Sequence, residues 1–223
     1  SLSFLTPDLF ELGCSIVELC GGSTNVSIFH NGKIRHTGSL LCAGGHVTGD
    51  IVHGLQVTQL DAERLKVRYG AGFEPLVPES DTFDLPSTPG QGARNAQRRL
   101  LAHIMHMRLQ EVLEYALDEI TRAGYQQSLP AGVILTGGGA QTPGIVELAR
   151  EVFAAPARCG IPGQRLRGLA DSVESPSMAV ATGLVLYGAR EIAASGGFGF
   201  GARKSPAVEK VFAPVVRWFQ DFF

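Results

Sequence analysis

Apolar and polar positions in this chain follow two periods, one of strands and one of helices. From Ser15 to Cys20 every residue but Ser15 and Glu18 is apolar, which predicts a buried strand. Val26 to Phe29 predicts a second strand and Lys33 to Leu41 a third. Asn31-Gly32 lies between them, the pair that suits a type I′ hairpin turn, where both central residues need positive φ. Residues 1–13 read as a short lead-in and Ala43-Gly44-Gly45 as a turn, with Thr48 as N-cap of a helix over Gly49–Leu55. A second helix is predicted over Leu60–Tyr69, ended by Gly70. Residues 71–95 show little periodicity and read as loop with one or two short strands. Ala96 to Ala123 is strongly helical, with a break expected near His106. Its stripe is Leu109, Val112, Leu113, Ala116, Leu117 and Ile120, and Gly124 stops it. Gly132 to Thr136 predicts a strand running into three glycines. Thr142-Pro143 reads as N-cap and first residue of a helix to about Phe153. Ser175-Pro176 opens a last helix reaching about Ala194, and Gly196–Ala202 reads as a flexible linker.

Composition narrows the class. The chain has 223 residues, 44% hydrophobic and 18% charged, enough for a substantial core. Its net charge of −2 and lack of a basic face argue against a nucleic-acid partner. Four cysteines stand at 14, 20, 42 and 159 without a CxxC pair, so no metal site is expected. Cys14 and Cys20 share one strand parity and read as small core residues, in keeping with a reducing compartment. His103 and His106 read as a surface helix pair, and no run of 18 apolar residues is present to span a membrane.

The chemistry concentrates in two glycine turns, each at the end of an apolar strand. The first is Glu18-Leu19-Cys20-Gly21-Gly22-Ser23-Thr24-Asn25, and the second is Leu135-Thr136-Gly137-Gly138-Gly139-Ala140. Glycine turns let backbone N–H groups face phosphates and let the backbone come close. A ligand-free hairpin turn is the plainer reading of the first loop taken by itself. Between the loops run Gly44-Gly45-His46-Val47-Thr48-Gly49-Asp50-Ile51, then Ala62-Glu63-Arg64-Leu65-Lys66 with Tyr69-Gly70. Glu63 and Lys66 share a helix face, which by itself describes a solvated ion pair.

Together these segments resemble the FtsA family of actin-like ATPases, over roughly residues 10–195 and again in the tail. The resemblance implies an α/β fold: an actin-like, ribonuclease H-like half with a mixed sheet flanked by helices and a small inserted α/β subdomain. It implies subdomain IIA over 1–58 and 126–195, subdomain IIB over 59–125, a linker over 196–204 and a membrane-targeting segment over 205–223. It further implies ATP with Mg2+, held by Gly21, Gly22, Ser23, Thr24, Glu63, Lys66, Gly137, Gly138 and Gly139. Glu18 and Asn25 match the family's catalytic positions. Glu18 stands where an Asp is usual, Cys20 where a Gly is usual, and Asn25 where an acid or His positions water. These departures lead to an expectation of weak or absent ATPase activity, strengthened because the family's first phosphate loop would precede residue 1.

The tail carries Val211, Phe212, Val215, Trp218, Phe219 and Phe222 at helical spacing, with Lys210 and Arg217 among them. Pro214 predicts a kink or a helix start there. An aromatic, basic amphipathic segment after a glycine linker reads as an interfacial anchor, the alternative being a helix docked on the core. Five or six large apolar side chains partly buried give about 5–8 kcal/mol before ordering costs. The resemblance implies a tether for FtsZ polymers at the cytoplasmic face of the bacterial inner membrane, at the division septum. The implied partners are the FtsZ C-terminal peptide, anionic lipids, other division proteins and a second copy of the chain. The competing readings are a sugar or acetate kinase or chaperone ATPase of the actin-like superfamily, and a type IV pilus assembly relative.

Overall fold

The computed structural model describes residues 3–86, 94–126, 129–162 and 173–194. Residues 5–160 form one compact unit, and the described residues 3–4, 161–162 and 173–194 belong to a second. The first unit opens with helix α1 (Pro7–Leu12), which the sequence reading had as lead-in. Strands β1 (Cys14–Leu19), β2 (Thr24–His30) and β3 (Lys33–Leu40) follow. The β2–β3 turn has φ of 51° at Asn31 and 66° at Gly32, as a type I′ turn requires. Its tip docks on α1, with the N–H groups of Asn31 and Gly32 donating to the carbonyls of Glu11 and Phe10.

Next come helices α2 (Gly44–Leu55) and α3 (Gln59–Tyr69), then strands β4 (Thr82–Leu85) and β5 (Arg94–Gln97), which pair as an antiparallel ribbon. Helix α4 (Arg98–Arg122), strand β6 (Val133–Thr136), helix α5 (Ile145–Phe153) and strand β7 (Ala157–Cys159) complete the unit. The main sheet has the order β3-β2-β1-β6-β7. β1 runs antiparallel to β2 and parallel to β6, and β6 is parallel to β7. The α/β class with a mixed sheet and flanking helices is as the sequence implied.

Three elements differ from the sequence reading. α2 begins at Gly44, five residues before the predicted start, because carbonyls from the β1–β2 loop take its first N–H groups. α4 has no break at His106. The His106 ring lies 5.6 Å from Phe73, its Nδ1 accepts from the Glu74 N–H, and no Pro or Gly interrupts the helix. α5 starts at Ile145 and not at Pro143, because Gly144 at φ 82° caps it and the Pro143 carbonyl is taken by the Gly72 N–H. The cysteines also separate: Cys14 is fully buried, and burial pushes its thiol up to about 11, whereas Cys20 lies past the end of β1 and is half-buried.

α4 organises the core. It lies against β2, β3, α2, α3 and α5. Its stripe residues Leu109, Val112, Leu113, Ala116 and Ile120 are buried with Val17, Ile28, Ile51 and Leu148 in one cluster. The stretch 59–125 therefore shares this core through α4. In the second unit a short 3-10 turn, Pro176–Met178, leads into helix α6 (Ala179–Ala194), and the Ser3 hydroxyl donates to the Ala179 carbonyl at 2.9 Å. Among the described residues no helix is long and apolar enough to cross a membrane.

The packing sets a stability contrast. Leu113→Ala, at a fully buried position, should cost about 2–5 kcal/mol in urea unfolding. Val67→Ala, on the exposed face of α3 at 77% exposure, should stay within about 0.5 kcal/mol of the parent. Equal effects would contradict the assignment of α4 as the core helix.

Candidate functional site

Both glycine loops leave the same end of the sheet. β1 and β6 are parallel neighbours with Glu18 opposite Thr136, so their carboxyl ends lie side by side. On its other flank β1 meets the antiparallel β2. A crevice outside the carboxyl ends of strands, where the connection pattern changes, is where open α/β sheets bind ligands.

The first loop is closed by the Cys20 N–H, which donates to the Ser23 carbonyl at 3.1 Å. Gly21 and Gly22 face open space: a Cβ on either would have no atom within 4 Å. Ser23 is half-buried. Thr24 is fully buried, and its hydroxyl donates to the Cys42 carbonyl at 2.7 Å. That proton ties β2 to the segment before α2 and is not turned outward. Glu18 and Asn25 face each other across the β1–β2 pair. The Asn25 amide donates to Glu18 Oε2 at 2.9 Å, and Asn25 Oδ1 accepts from the Ser39 hydroxyl at 2.8 Å. Burial pushes the Cys20 thiol up, and the Glu18 carboxylate beside it adds to the rise.

The loop continues into the start of α2. The N–H groups of Gly44 and Gly45 donate to the carbonyls of Cys20 and Gly21 at 3.0 and 2.8 Å. This satisfies two of the donors that a helix start leaves free. A Cβ on Gly44 would lie 3.2 Å from the Cys20 oxygen and 3.9 Å from Lys66 Nζ, so the Lys66 ammonium stands beside the loop.

Lys66 and Glu63 are more than a solvated pair. Lys66 Nζ lies 2.6 Å from Glu63 Oε2 and donates to Thr48 Oγ1 at 2.8 Å, and the Thr48 hydroxyl lies 2.6 Å from the same Glu63 oxygen. Lys66 also reaches the Gly44 carbonyl at 3.3 Å. The Lys66 side chain is 19% exposed and that of Glu63 51%. Burial raises the Glu63 carboxyl, but hydrogen bonds from Lys66 and Thr48 outweigh it and hold the group below its ordinary range. The sequence reading missed this use of Thr48, which it took for an N-cap. The signal for it in the sequence is Thr48 itself, four residues after Gly44 and before the Glu63–Lys66 helix.

The second loop packs on the first. Gly137 has φ 82°, and a Cβ there would meet the Leu19 oxygen at 2.5 Å. A Cβ on Gly139 would lie 2.7 Å from the Leu19 Cβ. These two glycines let the end of β6 lie against the end of β1, whereas Gly138 faces open space. The arrangement leaves backbone at Gly21, Gly22 and Gly138 unobstructed, with one ammonium and two carboxylates nearby. Those features fit an anionic phosphate chain with a hydroxyl-bearing group next to it.

Other predicted positions fall elsewhere. His103 pairs with Glu74 at 2.7 Å, and His106 lies inward against Phe73. Lys210, Val211, Phe212, Val215, Arg217, Trp218, Phe219 and Phe222 lie outside the described residues.

Comparison with known proteins bears on the fold and the family. A family model described as cell division protein FtsA matches residues 16–183. The FtsA of Pseudomonas aeruginosa is 35% identical over 99% of this chain and 54% of its own length. That of Escherichia coli K12 is 35% identical over 84% of the chain and 46% of its own length. The chain thus spans about half the length of the curated relatives it matches. Among solved structures, MreB5 of Spiroplasma citri bound to AMPPNP aligns over 81% of this chain and 54% of its own, with TM-score 0.61 and 17% identity. A PilM–PilN type IV pilus biogenesis complex aligns over 82% of this chain and 47% of its own, also with TM-score 0.61 and 17% identity. These likenesses show the actin-like fold, and the family model, covering well over half of the residues, shows the narrower kinship: the chain belongs to the FtsA family of cell division proteins.

Proposed function

We propose that this chain is the part of an FtsA-like scaffold that holds ATP on one side and ties a division polymer to the membrane on the other. The observation that carries the nucleotide part is the convergence of two open glycine loops with Lys66 at the carboxyl ends of β1 and β6. In this reading Gly21, Gly22, Ser23 and Gly137–Gly139 face the phosphates through their backbone. Glu63 and Lys66 take the sugar and base, and Glu18 faces the waters of Mg2+. MreB5 crystallised with AMPPNP and with ADP supports a nucleotide ligand for this fold. Family membership favours the division role over a sugar or acetate kinase, a chaperone ATPase or a pilus assembly factor.

The partner roles extend the same reading. Residues 1–58 and 126–195 act as subdomain IIA. Residues 59–125 act as subdomain IIB and receive the C-terminal peptide of FtsZ. Residues 196–204 are the linker, and 205–223 anchor the protein at the cytoplasmic face of the inner membrane, at the septum. Other division proteins and further copies of the chain assemble on this anchored scaffold. Reversible anchoring suits a polymer tether, because many weak anchors on one filament add up.

The ligand assignment has two checks. Lys66→Glu should weaken ATP binding about tenfold or more in titration calorimetry, since it removes the ammonium assigned to the nucleoside end and sets a second carboxylate against Glu63. Unchanged affinity would remove the nucleotide from this crevice. Hydrolysis should be slow, because phosphoryl transfer depends on positioning and Asn25 stands where a group that positions water is expected. Phosphate release should not rise clearly above a Glu18→Ala control, and a clear excess would show a working ATPase.

The anchor has its own test. Trp218 is the only tryptophan, so its emission should shift to the blue when anionic vesicles are added. Phe219→Glu should abolish the shift. Lys210→Glu with Arg217→Glu should weaken binding to anionic vesicles more than to neutral ones, as high salt does. If removal of residues 205–223 left vesicle co-sedimentation unchanged, the tail would not be the anchor.

A further inference from the structure

We infer that Thr48 is a positioning residue: from inside α2 it fixes Glu63 and Lys66 beside the first glycine loop, so that this pair can read the nucleoside end of a nucleoside triphosphate. The inference rests on the nucleotide reading above and adds to it a residue that does not itself face the crevice. Thr48 is only 2% exposed, yet its hydroxyl meets both members of the pair, Glu63 Oε2 at 2.6 Å and Lys66 Nζ at 2.8 Å.

The direction of each bond follows from what each group carries. An ammonium has protons and no lone pair, so Lys66 donates to the Thr48 oxygen. Thr48 has one proton, with two acceptors in reach: Glu63 at 2.6 Å and the Gly44 carbonyl at 3.1 Å. A helical threonine commonly donates to the carbonyl four residues back, and that is the plain alternative here. The shorter contact goes to a carboxylate, and charge-assisted bonds are the stronger kind. Lys66 therefore donates to Thr48 and Thr48 to Glu63, while the direct Lys66–Glu63 contact at 2.6 Å closes the triangle.

The triangle matters because of where α2 starts. Gly44 and Gly45, whose N–H groups are bonded to the loop carbonyls, lie one helical turn before Thr48. Thr48 is thus held to the loop through a rigid turn of backbone and to α3 through its hydroxyl. Without that hydroxyl the pair keeps its mutual attraction and α3 its packing on α2, but the one side-chain hydrogen bond left from the pair toward the loop is the weak 3.3 Å contact of Lys66 with the Gly44 carbonyl.

The test compares two ligands on the intact polypeptide by titration calorimetry: ATP, which has a nucleoside end, and inorganic tripolyphosphate, which has none. Thr48→Val keeps shape and removes the hydroxyl. It should weaken ATP binding roughly tenfold, the scale of a lost charge-assisted hydrogen bond, and leave tripolyphosphate binding unchanged. Thr48→Ser should restore ATP affinity to within about twofold of the parent. On a Lys66→Met background, Thr48→Val should add little, because the hydroxyl acts through the pair. If Thr48→Val does not yield folded protein, Thr48→Ala is read by the same ratio. Parent-like ATP affinity in the hydroxyl-free variant would overturn the inference. So would an equal loss for both ligands, which marks a purely structural residue, or failure of Thr48→Ser to rescue. If the parent binds neither ligand, the nucleotide reading itself falls and this inference with it. If the parent binds both and Thr48→Val changes neither, only the role of Thr48 falls.

Discussion

The seating of α2 on the first glycine loop is the contact on which the rest of the site depends. Two backbone N–H groups at the helix start find the carbonyls of Cys20 and Gly21, so loop and helix complete each other's hydrogen bonding. A helix start leaves its first N–H groups without partners inside the helix, and a loop leaves carbonyls without a ladder to join. One pair of bonds satisfies both. It also sets the height of α2 along the sheet, and α2 in turn carries Thr48 to α3.

From that contact the other parts follow by packing. α4 spans the sheet and touches both α2 and α5, so the helices that follow β3 and β6 share one core. The second loop needs no ligand to find its place: Gly137 and Gly139 rest directly on Leu19. The open backbone at Gly138 is thus flanked by two residues that cannot grow a side chain without moving β1. Freedom at Gly21, Gly22 and Gly138 is a local exception within a tightly determined frame.

What the sequence made legible was whatever is decided within a few residues. Asn31-Gly32 specifies its turn by local φ demands, and the α4 stripe specifies a buried helix by its own spacing. The two glycine loops were legible for the same reason. The start of α2 was not, because its capping carbonyls come from more than twenty positions upstream and two glycines in a row mimic a loop. The inward turn of the Thr24 hydroxyl depends on the Cys42 carbonyl, and the use of Thr48 on two residues of the next helix. β7 has three residues, too few for any period, and exists because β6 offers it an edge. In each case the missing information is a partner distant in sequence.

The cross-strand pair of Glu18 and Asn25 has a consequence for the order of events during assembly. An acid at position 25 would set two negative charges against each other, a repulsion that a proton or a cation would have to relieve. With an amide there, donating to the Glu18 carboxylate at 2.9 Å and itself held by Ser39, the same strands pair without that repulsion. This corner of the cradle therefore closes without waiting for a cation.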